Sequence, residues 1–344
     1  MTIRILRNCS KALAFGTILA SIAAAAAAPP VSVLRIDIDN YVPYHYEVFD
    51  PSTFGTVADL TAAQPAETFG LFLMIGDIVA VNGKSVKGAF ALRSTNLFLT
   101  PTIGVQPPNQ PPMARQAIGD VQRGNLVTIV WDLLDSDANP IGTITASGLT
   151  RGPRAPGAPP EVLQDTLTIT GGTGVFFGIR GQAGIIDMGS PRQATVAEAP
   201  ANRRILGGAK RSYLLQIIPF STPEVAMTSS GPAVVHAADS TVVSTARPAK
   251  AGEIVMIYAL GLGPVRGTVA FGTAFPQTPS PVVGPVEVLA NGSPTEVLYA
   301  GGYPGSTDGY QINVRLPVSL PAGAVELKIR SAWMEGSAVL IPIQ

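Results

Sequence analysis

Residues 167–182 read LTITGGTGVFFGIRGQ, and this stretch decides between two kinds of fold. Glycines at this density either cradle a phosphate at the start of a helix or form a tight turn between strands. A dinucleotide-binding loop has the spacing G-x-G-x-x-G and opens a helix, whereas Gly172, Gly174 and Gly178 are spaced G-x-G-x-x-x-G. The residues after Gly174 read Val-Phe-Phe-Gly-Ile, which is typical of a strand. The stretch therefore predicts a turn and a corner of a β-barrel, where side chains would clash.

The composition of the whole chain favours an all-β protein. Its 344 residues include 36 glycines and 31 prolines, and only 13% are charged. Such a composition suits short strands joined by tight turns better than long helices. Short β-branched or aromatic runs recur up to Pro219, and Asn82-Gly83 between two of them is a strong hairpin signal. We predict an eight-stranded antiparallel β-barrel, closed or nearly closed, over residues 31–220.

The pattern of strand candidates in the sequence changes after Pro223. Roughly seven or eight short strand candidates follow in about 115 residues, as in a small immunoglobulin-like β-sandwich. Asn291-Gly292 supplies a second hairpin signal. We predict such a sandwich, without its disulfide, over residues 224–344, and place the boundary between the two domains near residues 220–224.

The N-terminus indicates export. Arg4, Arg7 and Lys11 precede a short apolar run and a run of alanines, the pattern of a signal peptide, here residues 1–28. The apolar run is shorter than the roughly 20 residues that a membrane span needs. We therefore predict a secreted or extracytoplasmic mature chain, beginning near Pro29, without a transmembrane span. Loss of these three basic residues leaves 20 positive against 23 negative side chains, so the net charge offers no case for nucleic-acid binding.

No complete metal-binding or catalytic pattern is present. Residues 135–139 begin like a calcium loop, but Pro140 and Ala146 occupy the positions of its glycine and glutamate. His45 and His236 are the two histidines, one in each predicted domain, and neither has a second ligand at metal spacing. We therefore predict a hairpin loop at residues 135–139, and no metal and no cofactor.

A group of basic residues lies in a polar segment that is predicted as a loop. Its members are Arg192, Arg203, Arg204, Lys210 and Arg211. A solvated loop face is the default interpretation of such a group. The alternative is a contact with an acidic glycan at a cell surface.

The strand candidate LFLMIGDIVAV, residues 71–81, is apolar on both faces. Strands of a half-solvated sheet alternate between apolar and polar residues. We expect Phe72, Met74 and Ile78 to lie on the outer wall of the barrel, where a bare apolar patch would be unusual. The predicted cover is a second copy of the chain, most simply in a trimer, and the alternative is the C-terminal domain folded back on the wall.

Two parts of the sequence resemble known families. From Ala114 onward the chain resembles the second half of the allene oxide cyclase and dirigent family of eight-stranded barrels, through an apolar strand, the Gly-Gly-Thr-Gly turn at residues 171–174, an aromatic residue and Arg180-Gly181. That resemblance implies trimers and an apolar lumen that holds a reactive small molecule without a cofactor. Residues 224–344, with YALGLGPV, YQINVRLP and AWMEGSAVLIPI, resemble an uncharacterised C-terminal domain of secreted bacterial proteins, which implies no activity.

Charged residues on the barrel strands are the candidates for ligand contacts in the lumen. They are Asp77, Arg115 and Asp132, of which the last two are placed in the barrel by the family resemblance. A carboxylate such as Asp77 on an otherwise apolar strand needs a partner or a raised pKa. Three tyrosines could add hydroxyl groups, namely Tyr41, Tyr44 and Tyr46, although Tyr44 and Tyr46 share a face that Tyr41 does not.

Two functions from different classes follow from this sequence. The first is a non-catalytic secreted module in which the barrel is structural or binds a small ligand. The second is a cofactor-free isomerase, cyclase or dirigent-like protein that acts on an apolar small molecule in the lumen. An open lumen with converging polar groups would favour the second, and a filled lumen would favour the first.

Overall fold

The computed structural model describes most of the chain from Val31 to the C-terminus. The described ranges are 31–45, 71–98, 122–150, 166–189, 191–192, 194–195, 197–267, 269–270 and 272–344. Within them the secondary structure is almost entirely strand, so the all-β prediction is confirmed. No helix in these ranges is long and apolar enough to cross a membrane. The predicted signal peptide lies outside the described residues.

Ten strands precede Phe220. They are β1 (Ser32–His45), β2 (Leu71–Val81), β3 (Lys84–Ser85), β4 (Lys87–Phe98), β5 (Gln122–Leu134), β6 (Pro140–Thr150), β7 (Thr166–Gly172), β8 (Arg180–Met188), β9 (Ala194–Thr195) and β10 (Ala209–Ile218). A single helical turn, α1, covers Arg203–Leu206.

Eight of these strands form a closed antiparallel barrel. Their order is β2-β4-β5-β6-β7-β8-β10-β1, and the ring closes because β1 also pairs with β2. The two-residue strands β3 and β9 pair with β2 and β1 beside the ring. Asn82 and Gly83 both have positive φ, 50° and 76°, as the predicted hairpin turn requires. The predicted barrel is confirmed.

The lumen of the barrel is a hydrophobic core. Alternate residues of each strand point inward, as the pleat of a strand dictates. Representative members are Leu34, Ile36, Phe90, Ile129, Trp131, Leu133, Ile144, Ile169, Tyr213 and Leu215, all fully buried. These inward side chains therefore fill the middle of the lumen, as far as the structure describes it.

The glycine-rich stretch is the turn between β7 and β8. Gly174 has a φ of 61°, and a Cβ atom there would lie 2.4 Å from the carbonyl oxygen of Ile141. A tight turn at this point is therefore confirmed. The strand expected directly after it is wrong, because Gly174–Phe176 forms one 3-10 turn. This turn brings Phe176 into the barrel core, where it is fully buried.

Twelve short strands follow Thr222. They are β11 (Glu224–Val225), β12 (Met227–Thr228), β13 (Gly231–Pro232), β14 (Val234–His236), β15 (Ile254–Leu260), β16 (Val286–Ala290), β17 (Ser293–Pro294), β18 (Glu296–Gly302), β19 (Gly309–Arg315), β20 (Gly323–Ser331), β21 (Met334–Glu335) and β22 (Val339–Ile343). One five-stranded sheet contains β11, β14, β15, β18 and β19, and another contains β16, β17, β20, β21 and β22. Both sheets contribute to a second core, for example through Val255 and Ile312 from the first and Val288 and Leu327 from the second.

The C-terminal strands close one end of the barrel. Ala332, Trp333 and Met334, at the turn between β20 and β21, belong to the barrel core and not to the second core. Ala332 and Trp333 have φ values of 43° and 68°, a left-handed conformation that large side chains seldom adopt. The burial of Trp333, which is 9% exposed, offsets this strain.

Ion pairs join the same end of the barrel to the C-terminal strands. Arg266 donates to a carboxylate oxygen of Asp135 and to one of Asp137, each at 2.9 Å. Asp135 also accepts hydrogen bonds from the backbone N–H groups of Asp137 and Asn139. The predicted hairpin loop at residues 135–139 is confirmed, and its carboxylates face an arginine.

The expected orientation of β2 is wrong. Met74 and Ile78 pack in the barrel core, so their face of β2 is the inner one. The outer residue Ile75 packs on Val42, Tyr44 and Ala194, in a cluster separate from the barrel core. Part of the wall is thus covered by this chain's own β9 region. The predicted trimer stays a prediction, although its argument from Met74 and Ile78 is lost.

We predict that Trp333→Ala lowers the free energy of unfolding by about 3 kcal/mol, because it opens a cavity at the closed end of the barrel. It should also move the urea transitions of the barrel and of the second core apart, since Trp333 is the largest side chain that the C-terminal strands contribute to the barrel core. Leu340→Ala, at a residue that is 63% exposed, is the control and should change stability by less than about 0.5 kcal/mol. Equal effects of the two variants, followed by circular dichroism, would contradict this assignment.

Candidate functional site

An aromatic layer crosses the middle of the barrel lumen. The ring centroids of Trp131 and Tyr213 are 5.2 Å apart, and those of Phe90 and Tyr213 are 5.4 Å apart. Tyr41 extends the layer, with its ring 6.0 Å from that of Phe90. These rings separate the end closed by the C-terminal strands from the opposite end. The site lies on the side of this layer nearer the start of β10.

Arg211 is buried in the lumen against this aromatic layer. It precedes Tyr213 and Leu215 by two and four positions on β10, so all three side chains point inward. Its Nη1 donates to the hydroxyl oxygen of Tyr41 at 2.7 Å and to that of Tyr213 at 3.1 Å. The guanidinium carbon lies 4.2 Å from the centre of the Tyr41 ring, within cation–π range. Met74 completes these contacts, with its sulfur 3.8 Å from Nη1.

The positive charge of Arg211 is not compensated by the described residues. None of the carboxylates in the described ranges forms a salt bridge with it, although only 4% of its surface is exposed. Its Nε is buried and has no hydrogen-bond partner among the described residues. Burying a charge without a partner costs several kcal/mol, so this arrangement needs an explanation.

Three neutral groups of the barrel core also have no hydrogen-bond partner among the described residues, and one of them, the indole N–H of Trp333, lies at the closed end. Ser94 follows Phe90 and Leu92 at alternate positions of β4, and its buried Oγ makes no hydrogen bond. The indole N–H of Trp131 is likewise buried and unpartnered. More than nine in ten buried polar groups in native proteins have a partner, from protein or water. The described lumen thus contains several buried polar groups that no described residue satisfies.

The strand directions show which end of the barrel this is. β1, β4, β6 and β8 end there, while β2, β5, β7 and β10 begin there. The segments that join them include residues 99–121, which lie outside the described residues. The predicted lumen residue Arg115 and the predicted Tyr46 also fall outside them.

Asp77 does not face the lumen, contrary to the expectation. It shares the outer face of β2 with Ile75, and its carboxylate pairs with Arg203 and Arg204 of α1. The alternation of inward and outward side chains along β2 is interrupted at Val79, which has no partner residue on β1 and forms a β-bulge. Asp77 therefore has the charged partner that was predicted for it, but this ion pair lies outside the barrel.

This outer carboxylate is strongly stabilised in its charged form. Burial raises the pKa of Asp77, but hydrogen bonds from Arg204, Asn40 and Arg203 outweigh that effect and lower the pKa to about 2. Arg204 donates to both carboxylate oxygens, at 2.6 and 2.9 Å. The ion pairs hold α1 against the barrel wall, where Tyr44 donates to the carbonyl oxygen of Pro200 at 3.3 Å.

Asp132 is also on the outer face, so its predicted place in the lumen is wrong. It alternates with Trp131 and Leu133, both of which are fully buried in the barrel core. Its neighbours across the sheet are Ala89 and Thr143. Of the predicted tyrosines, Tyr41 lies in the lumen and Tyr44 lies outside it.

The predicted loop of basic residues is wrong as well. Arg192 pairs with Glu198, Lys210 lies 3.7 Å from Asp39, and Arg211 is inside the barrel. Four members of the group therefore have carboxylate partners, and the contact with an acidic glycan stays a prediction. The sequence does contain a signal for Arg211, because it alternates with Tyr213 and the apolar residues that follow.

The two histidines do not contribute to the lumen site as far as the structure describes them. His236 is buried in the C-terminal half, with its Nδ1 2.5 Å from a carboxylate oxygen of Glu253. The side chain of His45 lies outside the described residues. Within the described ranges, no group of three or more His, Cys, Asp or Glu side chains is placed to hold a metal ion.

Comparisons with known proteins identify no family for this chain. No protein-family model matches it, and no curated protein matches it. Among solved structures, the N-terminal domain of the Streptococcus gordonii adhesin Sgo0707 is aligned over 91% of this chain and 92% of its own, with 8% identity and a TM-score of 0.16. A TM-score this low carries no argument about fold or function.

We predict that Asp77→Asn lowers the free energy of unfolding by at least about 2 kcal/mol at pH 7, because it leaves the buried Arg203 without a counter-charge. The pKa of Asp77 is lowered in the folded state, so its contribution is present above pH 4 and is lost as the pH falls towards 2. The difference between variant and wild type in urea unfolding should therefore shrink over that range.

Asp132→Asn is the matched control for this prediction, because it changes a carboxylate on the same outer wall that forms no salt bridge with a described residue. It should change stability by less than about 0.5 kcal/mol. A constant difference between Asp77→Asn and wild type from pH 7 to pH 2 would contradict the assigned ion pairs.

Proposed function

We propose that this chain is a secreted small-molecule-binding protein whose ligand lies in the lumen of the N-terminal barrel. The observation that carries the proposal is Arg211, a buried cation without a counter-charge among the described residues, in a barrel core where Ser94 and Trp131 also have polar atoms without a described partner. Ligand sites are concave, mostly apolar, and contain a few placed polar groups. The lumen around Arg211 has this composition, with Tyr41, Tyr213 and Ser94 among apolar neighbours.

The barrel is proposed to be related to the allene oxide cyclase and dirigent family. An eight-stranded closed barrel with a glycine turn between β7 and β8 supports this relation. The family resemblance also suggests the alternative function, a cofactor-free isomerase or a dirigent-like protein. Such chemistry at neutral pH is usually assisted by a histidine or a carboxylate. The lumen side chains that the structure describes offer tyrosines, a serine and an arginine, a set better suited to binding.

The C-terminal half is proposed to be an immunoglobulin-like sandwich that closes one end of the barrel. Support comes from its two antiparallel sheets around one core and from Trp333, which packs into the barrel end. The ligand is therefore proposed to enter at the opposite end of the barrel. Export is proposed from the basic, apolar and alanine-rich segments of residues 1–28.

Native mass spectrometry of protein purified from its natural secretome tests this proposal. We expect a mass in excess of the mature chain that disappears on denaturation, because a bound small molecule would be released. The denatured mass should correspond to a chain that begins near Pro29. Identical native and denatured masses per chain would contradict a bound ligand, and a chain that begins at Met1 would contradict export.

A further inference from the structure

We infer that the ligand in the lumen carries a carboxylate on an apolar body, and that Arg211 recognises this carboxylate. The inference rests on the proposed function and adds the chemical class of the ligand. It is carried by the charge, the hydrogen-bonding geometry and the surroundings of one side chain.

Two buried arginines of this protein differ in their counter-charge. Arg203 is 6% exposed and pairs with Asp77, whereas Arg211 is 4% exposed and pairs with no described carboxylate. In each, Nε has no described hydrogen-bond partner, so the difference between the two arginines is the counter-charge. The ring of Tyr41 compensates a cation only in part, since a cation–π contact is weaker than an ion pair with hydrogen bonds. An anion is therefore the group that would satisfy Arg211.

The hydrogen-bonding geometry favours a carboxylate over other anions. Nη1 of Arg211 is held by the hydroxyl oxygens of Tyr41 and Tyr213, which fixes the plane of the guanidinium. Within the described part of the chain, neither Nε nor Nη2 of Arg211 has a hydrogen-bond partner. The Nε–Nη2 edge of a guanidinium matches a carboxylate through two parallel hydrogen bonds. With one arginine present in the described lumen, a singly charged group suits the site.

The surroundings of Arg211 require an apolar body on the ligand. Its backbone partner on β1 is Ile38, and Met74 contacts its guanidinium. Leu92 and Ile185 pack in the same barrel core. A carboxylate attached to a hydrocarbon or an aromatic ring would bury that body against such side chains, at about 25 cal/mol per Å² of apolar area.

Calorimetric titration with two matched pairs of probes tests the inference. The pairs are decanoate with 1-decanol, and 2-naphthoate with 2-naphthol, titrated into delipidated mature protein. We expect at least one carboxylate to bind about 10- to 100-fold more tightly than its neutral counterpart, the range for a hydrogen bond to a charged group. Arg211→Met should abolish this preference and leave the affinity for the neutral probe within about threefold.

Arg204→Met is the matched control, because it makes the same change on the outer wall, where Arg204 is half-exposed. It should leave the preference for the carboxylate unchanged. Equal affinities for both members of each pair in the wild type, or no binding of either carboxylate, would overturn the inference. A retained neutral molecule in native mass spectrometry would do so too, while upholding the proposed function.

The stability of ligand-free Arg211→Met provides a second, independent readout. Replacing a buried charge that has no partner by an apolar side chain is often neutral or stabilising. We therefore expect the urea midpoint of Arg211→Met to equal or exceed that of the wild type, whereas Arg203→Met should unfold at lower urea. A lower midpoint for Arg211→Met would show that the protein itself compensates the charge, and would contradict the inference.

Discussion

Closure of the barrel is the constraint on which the rest of the structure depends. A sheet whose last strand pairs with its first has no edge, so every inward side chain exchanges water for other inward side chains. This accounts for the apolar alternation along the strands and for the aromatic layer around Trp131. It also accounts for the insertion of Trp333 at one end, where an apolar lumen would otherwise meet water. Any polar group placed inside must find its partner inside.

Neutral groups of Ser94, Trp131 and Trp333 depart from this rule, but Arg211 is the buried charge of the described lumen that does so. On the outer wall the chain meets the same problem with Asp77, whose carboxylate is shared by Arg203 and Arg204. The protein therefore can provide a counter-charge for a buried arginine, and the described lumen contains none for Arg211. Sites that break local rules of stability are where function is expected, because binding energy compensates the cost when the ligand is present.

The sequence predicts the barrel and its turns well, because their signals are local. Asn82-Gly83 and the glycines after β7 determine backbone conformations by themselves. The orientation of β2 could not be predicted, because alternation defines two faces without telling which is inside, and a bulge at Val79 shifts the pattern. The burial of Arg211 was not predicted, because the basic residues before it indicated a solvated loop. The burial of Trp333 could not be predicted either, because it depends on contacts between distant parts of the chain.

The central claim is that the lumen is a binding site organised by a buried cation. The most direct measurement is a high-resolution crystal structure of the protein isolated from its natural source, without exchange of its bound molecules. The account predicts difference density for a carboxylate within hydrogen-bonding distance of Arg211 Nε, continuous with density for an apolar body in the lumen. Density for water alone beside Nε, or a carboxylate side chain of the protein itself in that position, would contradict the account.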